Sequence, residues 1–425
     1  MPEKRRKRLE FSEKYGKMEE RHDERWNLHG PACPRMSNFA LSPTAAILTK
    51  VTELRAAGAD IISLNVGEPD FPTPAHIKAA AMDALAEDFT RYTPERGILP
   101  LREAIARKLE RENGLCYSAD EITVTVGAKQ AIFAAVMVLC GPGDEVLLPI
   151  PCWVNYTEMI KLSGATPVFV PVREDTFELN MEAIAAAITP RTRAIILCTP
   201  NNPTGAVYSE EALRQLAALA VEHDFYIIAD EIYEKLIYDE AKHFSIASVS
   251  DEVRSRTVTV NRFSKAYAMT GWRVGYAAAP AHIIRDIMAM QSQTTSCTNS
   301  MAQKAALAAL EGSQEDVEAM RRAFADRRDY VVQRLNDMEG VTCPPVRGAF
   351  YVYPDVSAYL GKSYGGKRME TSVDLCEYLL TEGLIAAVPG EAFALGGHLR
   401  ISYSNSMENL KTAMDRMEAA LKKLS

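Results

Sequence analysis

One lysine stands in a setting suited to covalent chemistry. The segment Ser264-Lys265-Ala266-Tyr267-Ala268-Met269-Thr270-Gly271-Trp272-Arg273 follows the β-branched run Val258-Thr259-Val260, and a second strand-like run extends to Tyr276. Lys265 therefore leaves the end of a buried strand and sits in a tight, partly apolar turn. Burial disfavours an ammonium and leaves a free amine able to form an imine with an aldehyde. A lysine taken at random is a surface residue, so the case for Lys265 rests on the company it keeps. Asp230 ends the apolar run that starts at Phe225, and Tyr233 follows three residues later. Thr199 to Gly205 ends another strand in a turn too rich in proline for helix. Val126-Gly127-Ala128-Lys129 joins a strand to a helix, where free backbone amides can bind an anion. Pro151-Cys152-Trp153 closes a further strand. Each of these ends is weak evidence alone, but all five together describe one site.

The elements that must position these ends alternate along the chain. Strands are expected at Ile122–Val126, Glu145–Leu148, Pro167–Val172, Ala194–Cys198 and Phe225–Ala229. Helices are expected between them at Gln130–Cys140, Tyr156–Leu162, Met181–Ile188 and Glu211–His223. Strands apolar on both faces and separated by helices read as an α/β fold, a mostly parallel sheet covered on both sides. A ligand then belongs beyond the carboxyl ends of the strands. Before this region come a helix over Thr44–Ala57 that stops at Gly58, a strand at Ile61–Val66, and helices at 75–87 and 100–113, each begun near a proline. After residue 281 the pattern is mostly helical, with a long charged helix near 313–338. Short strands near Ala349–Val352, Ile385–Val388 and Leu399–Tyr403 and a final helix from Glu408 form a smaller α+β unit. The domain organisation expected is a polar N-terminal extension at 1–35, a large domain at 74–312, and a small domain made of 36–73 with 313–425.

Composition narrows the function classes. A formal net charge of −8 argues against broad nucleic-acid binding, which needs a basic face. The eight cysteines show neither C-x-x-C pairs nor zinc spacing, consistent with reduced, structural thiols. With no bilayer-length apolar run and no signal-peptide core, a cytoplasmic protein is expected. The basic cluster Lys4 to Arg8 opens a stretch of interleaved charge, which reads as a solvated extension and carries no functional assignment. Part of it could be an upstream reading of a start at Met36. No strand is followed by G-x-G-x-x-G, so a dinucleotide enzyme is disfavoured.

Six motifs, in order, resemble the class I aminotransferases. They are Gly67-Glu68-Pro69-Asp70-Phe71, Asn201-Asn202-Pro203-Thr204-Gly205, Asp230-Glu231-Ile232-Tyr233, Phe263 to Tyr276, Gly348-Ala349-Phe350-Tyr351 and Arg400-Ile401-Ser402-Tyr403. The likeness runs from about residue 40 to the C-terminus and is closest to the bacterial aspartate aminotransferase branch, whose members are fold type I enzymes using pyridoxal 5′-phosphate. The resemblance implies a role for each matching residue. Lys265 would join the cofactor covalently and then carry the substrate's α-proton, Asp230 would keep the pyridine nitrogen protonated, and Tyr233 with Asn202 would hydrogen-bond the ring's phenolic oxygen. Arg273, Ser264 and the amides of Gly127, Ala128 and Lys129 would hold the phosphate, and Trp153 would stack on the ring. Arg400 would clasp the substrate's α-carboxylate with help from Asn202 and Gly67. Tyr92 matches a tyrosine that reaches the phosphate from a neighbouring subunit, which implies a homodimer. No metal is implied. The family's cis-proline positions fall before Pro151 and Pro203.

Departures from the pattern bear on specificity. Aspartate-specific members carry a lysine in the helix after the phosphate loop, and an ungapped placement puts Met137 there, which suits an apolar or aromatic substrate side chain. Arg262 stands where a small residue is usual, and Tyr156 replaces a histidine that some branches place behind the aspartate. The expected activity is transfer of an amino group between an amino acid and a 2-oxo acid. Glutamate and 2-oxoglutarate form the shared pair, and aspartate or an aromatic or neutral amino acid is the partner. A C–S β-lyase on the same scaffold is the alternative among enzymes. An aminotransferase-like transcription regulator is disfavoured, because about 35 polar residues are too few for its DNA-binding domain.

Overall fold

Short apolar runs that alternate between two cores define the centre of the molecule. A computed structural model of the chain describes residues 43–425; the N-terminal extension at 1–35 and the first part of the 36–73 segment lie outside the described residues. In chain order the strands are β1 (Ile62–Ser63), β2 (Ile122–Thr125), β3 (Glu145–Ile150), β4 (Thr166–Pro171), β5 (Thr192–Cys198), β6 (Tyr226–Asp230), β7 (Thr257–Arg262) and β8 (Gly275–Ala278). The last seven form one sheet in the order β2-β8-β7-β6-β5-β3-β4. The run β7-β6-β5-β3-β4 is parallel, and β8 is antiparallel to both of its neighbours. Along β3 and β5 successive side chains point to opposite faces. Val146, Leu148, Ala194 and Ile196 enter one core, while Leu147, Ile195 and Leu197 enter the other. Both faces are thus covered, as a parallel sheet requires.

The helix Gly127–Leu139 packs on the first of these faces, burying Ala131, Ile132, Ala135 and Val136. It starts three residues earlier than the sequence pattern indicates, so Gly127, Ala128 and Lys129 form its first turn. Helices Ala75–Ala86 and Leu99–Asn113 follow Pro74 and carry Pro100 in their first turns respectively, where a missing N–H costs nothing. The long charged helix spans Glu315–Asn336.

The remaining strands are β9 (Tyr351–Val352), β10 (Ser363–Tyr364), β11 (Lys367–Arg368), β12 (Ile385–Ala386), β13 (Val388–Pro389) and β14 (Leu399–Ser402). β13, β14 and β9 make a three-stranded antiparallel sheet. β1 pairs in parallel with β12, Ile62 opposite Ile385, so the start of the described chain is joined to its last quarter. The single strand expected over Ile385–Val388 is two, broken at Ala387. Cis peptide bonds precede Pro151 and Pro200; the second lies three residues before the expected Pro203.

Candidate active site

Lys265 sits on a one-turn helix, Phe263–Ala266, directly after β7. Its Nζ donates to the carbonyl of Gly67 and lies 5.3 Å from the centre of the Phe350 ring and 6.0 Å from that of Tyr233. Burial, followed by the charge of Arg262, pushes this amine well below the ordinary lysine range, while Glu68 acts the other way. An uncharged amine is a nucleophile and a proton acceptor. The Gly67 position admits no side chain, because a Cβ there would stand 2.5 Å from Tyr351 Oη.

Asp230 ends β6 and is 2% exposed. Its Oδ2 accepts a 2.6 Å hydrogen bond from Tyr156 Oη, and Oδ1 accepts a 3.4 Å bond from the Ile232 amide. Burial raises its pKa, against the opposing pull of the Tyr156 bond and of Arg262. Cys198, at the end of β5, is the register partner of Asp230. Tyr233 is fully buried and shares a 3.0 Å hydrogen bond with Tyr351.

Arg400 lies on β14 and is 4% exposed. Its fork donates to Asn202 Oδ1 at 3.2 Å and to the Asn65 carbonyl at 2.8 Å, and it packs over the Tyr351 and Phe393 rings. Its Nε is buried without a partner, and among the described residues no carboxylate pairs with the guanidinium. A buried cation without a counter-ion is expensive to hold unless an anion completes it.

A second anion site lies at the start of the helix Gly127–Leu139. Its N-cap, Val126, supplies no side-chain bond, so the first-turn amides are open. Arg273 closes over them from a left-handed backbone (φ 54°), its Nη2 donating to the Val126 carbonyl at 3.4 Å. Gly127 has φ 74°, a left-handed backbone that favours glycine, and a Cβ there would also fall 2.6 Å from that nitrogen. Ser264 Oγ is buried with no partner. These donors suit a phosphate-sized anion. Lys129 Nζ lies 5.1 Å over the Trp153 ring, and Trp153 meets Tyr156 edge-on at 5.3 Å.

The structure therefore gathers Lys265 with Gly67, Tyr233 and Arg400, links Arg400 to Asn202, and sets Arg273 against Gly127. Asp230 joins them through Tyr156 and Trp153. Tyr92 is 92% exposed, outside this hydrogen-bonded set. Met137 does not belong to the site. It lies eight residues after Lys129, about 12 Å down a helix that runs away from the strand ends. Lys129, in the first turn, is the cation that faces the site. Sequence reasoning missed Tyr351, Asn65 and Phe350, although Phe350 and Tyr351 stand inside the motif Gly348 to Tyr351; for Asn65 no signal existed.

With this geometry in view, comparison with known proteins is direct. The family model described as aminotransferase class I and II matches residues 59–417. The chain belongs to this family. An aspartate/prephenate aminotransferase from Cereibacter sphaeroides is 46% identical over 381 residues, covering 89% of this chain and 95% of that protein. The crystal structure of the aspartate aminotransferase from Rhizobium meliloti superposes with a TM-score of 0.90 at 41% identity, covering 93% of this chain and all of that one. The Thermus thermophilus aspartate aminotransferase with maleate gives a TM-score of 0.87 at 43% identity, covering 92% and 100%. The protein is an aminotransferase of the fold type I α/β architecture.

Proposed function

We propose that this aminotransferase uses pyridoxal 5′-phosphate and moves the amino group of aspartate to 2-oxoglutarate. When bound, the cofactor supplies the electron sink that accepts the pair left at the substrate's α-carbon. The chain's own residues do the rest. Lys265 Nζ, whose pKa burial lowers well below the ordinary lysine range, would be the group that takes the α-proton. The Asp230 carboxylate holds the proton on the ring nitrogen, and Tyr156 holds the carboxylate. Arg400 and Asn202 bind the α-carboxylate and so fix which bond faces Lys265. Gly127–Lys129, Ser264 and Arg273 bind the phosphate.

Lys129 carries the choice of aspartate. Its ammonium stands over Trp153, among the described residues no carboxylate pairs with it, and burial with the charges of Arg273 and Arg262 pushes its pKa down. A substrate's second carboxylate relieves that cost. The names of the relatives, and the dicarboxylate maleate in the Thermus protein, agree with this reading. The 92% exposure of Tyr92 supports a homodimer in which this side chain completes a neighbour's phosphate site. The pairing of β1 with β12 supports the described part of the expected small domain, 43–73 with 313–425, beside a large domain at 74–312, within the compact unit Pro43–Ser425. Among the described residues no helix is long and apolar enough to cross a membrane, in keeping with a cytoplasmic enzyme.

The test is a panel of amino donors with 2-oxoglutarate as acceptor. Aspartate should give the highest kcat/KM, with conversion of the cofactor to its amine form in a single half-reaction. A preference for phenylalanine over aspartate would overturn the substrate assignment, and pyruvate or ammonia release without cofactor conversion would overturn transamination itself.

A further inference from the structure

The strand that delivers Lys265 also delivers an arginine to which the roles above give no task. Arg262 is the last residue of β7, opposite Gly275 of β8. Side chains alternate along a strand. Asn261 points to one face, where it donates to Glu234 Oε1 at 2.7 Å. Arg262 and Val260 share the other face, and Val260 is the register partner of Asp230. The guanidinium thus leaves the sheet on the face of Asp230, about 7 Å nearer the carboxyl ends, where a ligand belongs. The neighbouring backbone fits the same picture, for a Cβ at Gly275 would meet the Ala128 amide at 2.8 Å. Arg262 is therefore one strand position from the open first turn of the helix Gly127–Leu139.

What the guanidinium lacks is an ion-paired carboxylate, although its charge helps to lower the pKa of the buried Asp230. Its Nε is buried without a hydrogen bond, and among the described residues no carboxylate is ion-paired with it. Its charge acts on Lys129, Lys265 and Arg273, pushing each of them down. Mutually repelling cations around uncapped helix amides are costly until an anion arrives.

We propose that Arg262 is an additional ligand for the cofactor's phosphate, placed so that two guanidiniums, its own and that of Arg273, meet one dianion. The proposal rests on the pyridoxal phosphate reading above. A small residue at this position could offer no charge, so this chain holds its cofactor more tightly through the phosphate than the resemblance implies.

Apoprotein stripped of cofactor tests it by titration calorimetry with inorganic phosphate, pyridoxal 5′-phosphate and pyridoxal, which lacks the phosphate. For Arg262→Gln, affinity for inorganic phosphate and for pyridoxal 5′-phosphate should fall ten- to hundredfold, or about 1.4–2.8 kcal/mol, while pyridoxal binding stays within about twofold. Arg262→Lys keeps the charge but loses the planar fork, and should show a smaller fall in the ratio of pyridoxal 5′-phosphate to pyridoxal affinity. That ratio also decides the matter should the glutamine variant not fold. An unchanged ratio in both variants overturns the proposal, as does an equal loss of pyridoxal, which would place Arg262 on the ring. Wild-type apoprotein that bound neither pyridoxal compound would instead overturn the cofactor reading on which the proposal stands.

Discussion

Replacing Tyr156 by phenylalanine removes a single oxygen, the one that donates to Asp230 Oδ2 at 2.6 Å. The ring stays, with its edge-on contact to Trp153 and its place in the core. Burial already pushes the Asp230 carboxyl up, and the Tyr156 bond is the first of the forces that oppose it. A hydrogen bond to a charged acceptor contributes about 1.5–3 kcal/mol. Lost from the ionised carboxyl alone, that energy corresponds to about a ten- to hundredfold fall in kcat. KM for aspartate should change little, because Arg400 and Asn202 are untouched. On the proposed role the pH dependence has a definite sign: Asp230 would hold the ring proton only when ionised, and removing the bond raises its pKa further. The acidic limb of the kcat profile therefore moves to higher pH in the variant, and the deficit narrows as pH rises. Steady-state kinetics with saturating 2-oxoglutarate across the pH range measures both effects. An unchanged kcat profile, or a rise in KM at constant kcat, would refute the role given to this bond.

Three other substitutions test separate parts of the reading. Lys129→Met should lower kcat/KM for aspartate by tenfold or more relative to phenylalanine, whereas Met137→Lys, at the exposed far end of the same helix, should leave the ratio unchanged; the reverse result would restore Met137 to the side-chain pocket. Glu234 keeps about a tenth of its side chain exposed; desolvation alone would raise its pKa, but the charges of Lys108 and His243 and hydrogen bonds from Lys108 and Asn113 bring it down to about 2. Its stabilisation is thus present above the ordinary value of 4.5 and is lost as pH falls toward 2. Glu234→Gln should cost about 3 kcal/mol near neutrality, and in denaturant titrations the gap from wild type should begin to close below about pH 4.5; a gap independent of pH would deny the ion pair its role.

How much of this was legible follows from what a linear pattern can carry. Lys265, Asp230, Gly127 and Arg400 stand at strand ends or within strands, where an apolar run breaks onto a polar residue, and that contrast is visible in the chain. The order β2-β8-β7-β6-β5-β3-β4 was not, because β8, with its sequence Gly-Tyr-Ala-Ala, has the same small, apolar texture whichever way it runs. Met137 misled for a geometric reason. Counting along a sequence does not give distance from a ligand, and eight helical residues carry a side chain about 12 Å from the first turn. The tyrosine at 156 was noticed as a substitution, but its bond to Asp230 depends on how a helix after β3 sits against the end of β6. The orphaned Nε of Arg262 required strand register, which no local pattern specifies.

Charge is the property that ties these observations to substrate choice. Lys129, Arg262, Arg273 and Arg400 all have lowered pKa values or lowering effects on one another or on Lys265, whereas Glu68 is the carboxylate whose charge raises Lys265. On the proposed roles, a phosphate of about −2 would account for Arg262 and Arg273, and the α-carboxylate common to every amino acid would account for Arg400. Lys129 is then left over. A neutral or aromatic side chain would rest against the Trp153 ring with that exposed ammonium still unanswered, while the second carboxylate of aspartate, glutamate or another dicarboxylate would pair with it. On the proposed function, selection for a dicarboxylic substrate would arise from this one uncompensated charge in the first turn of a helix.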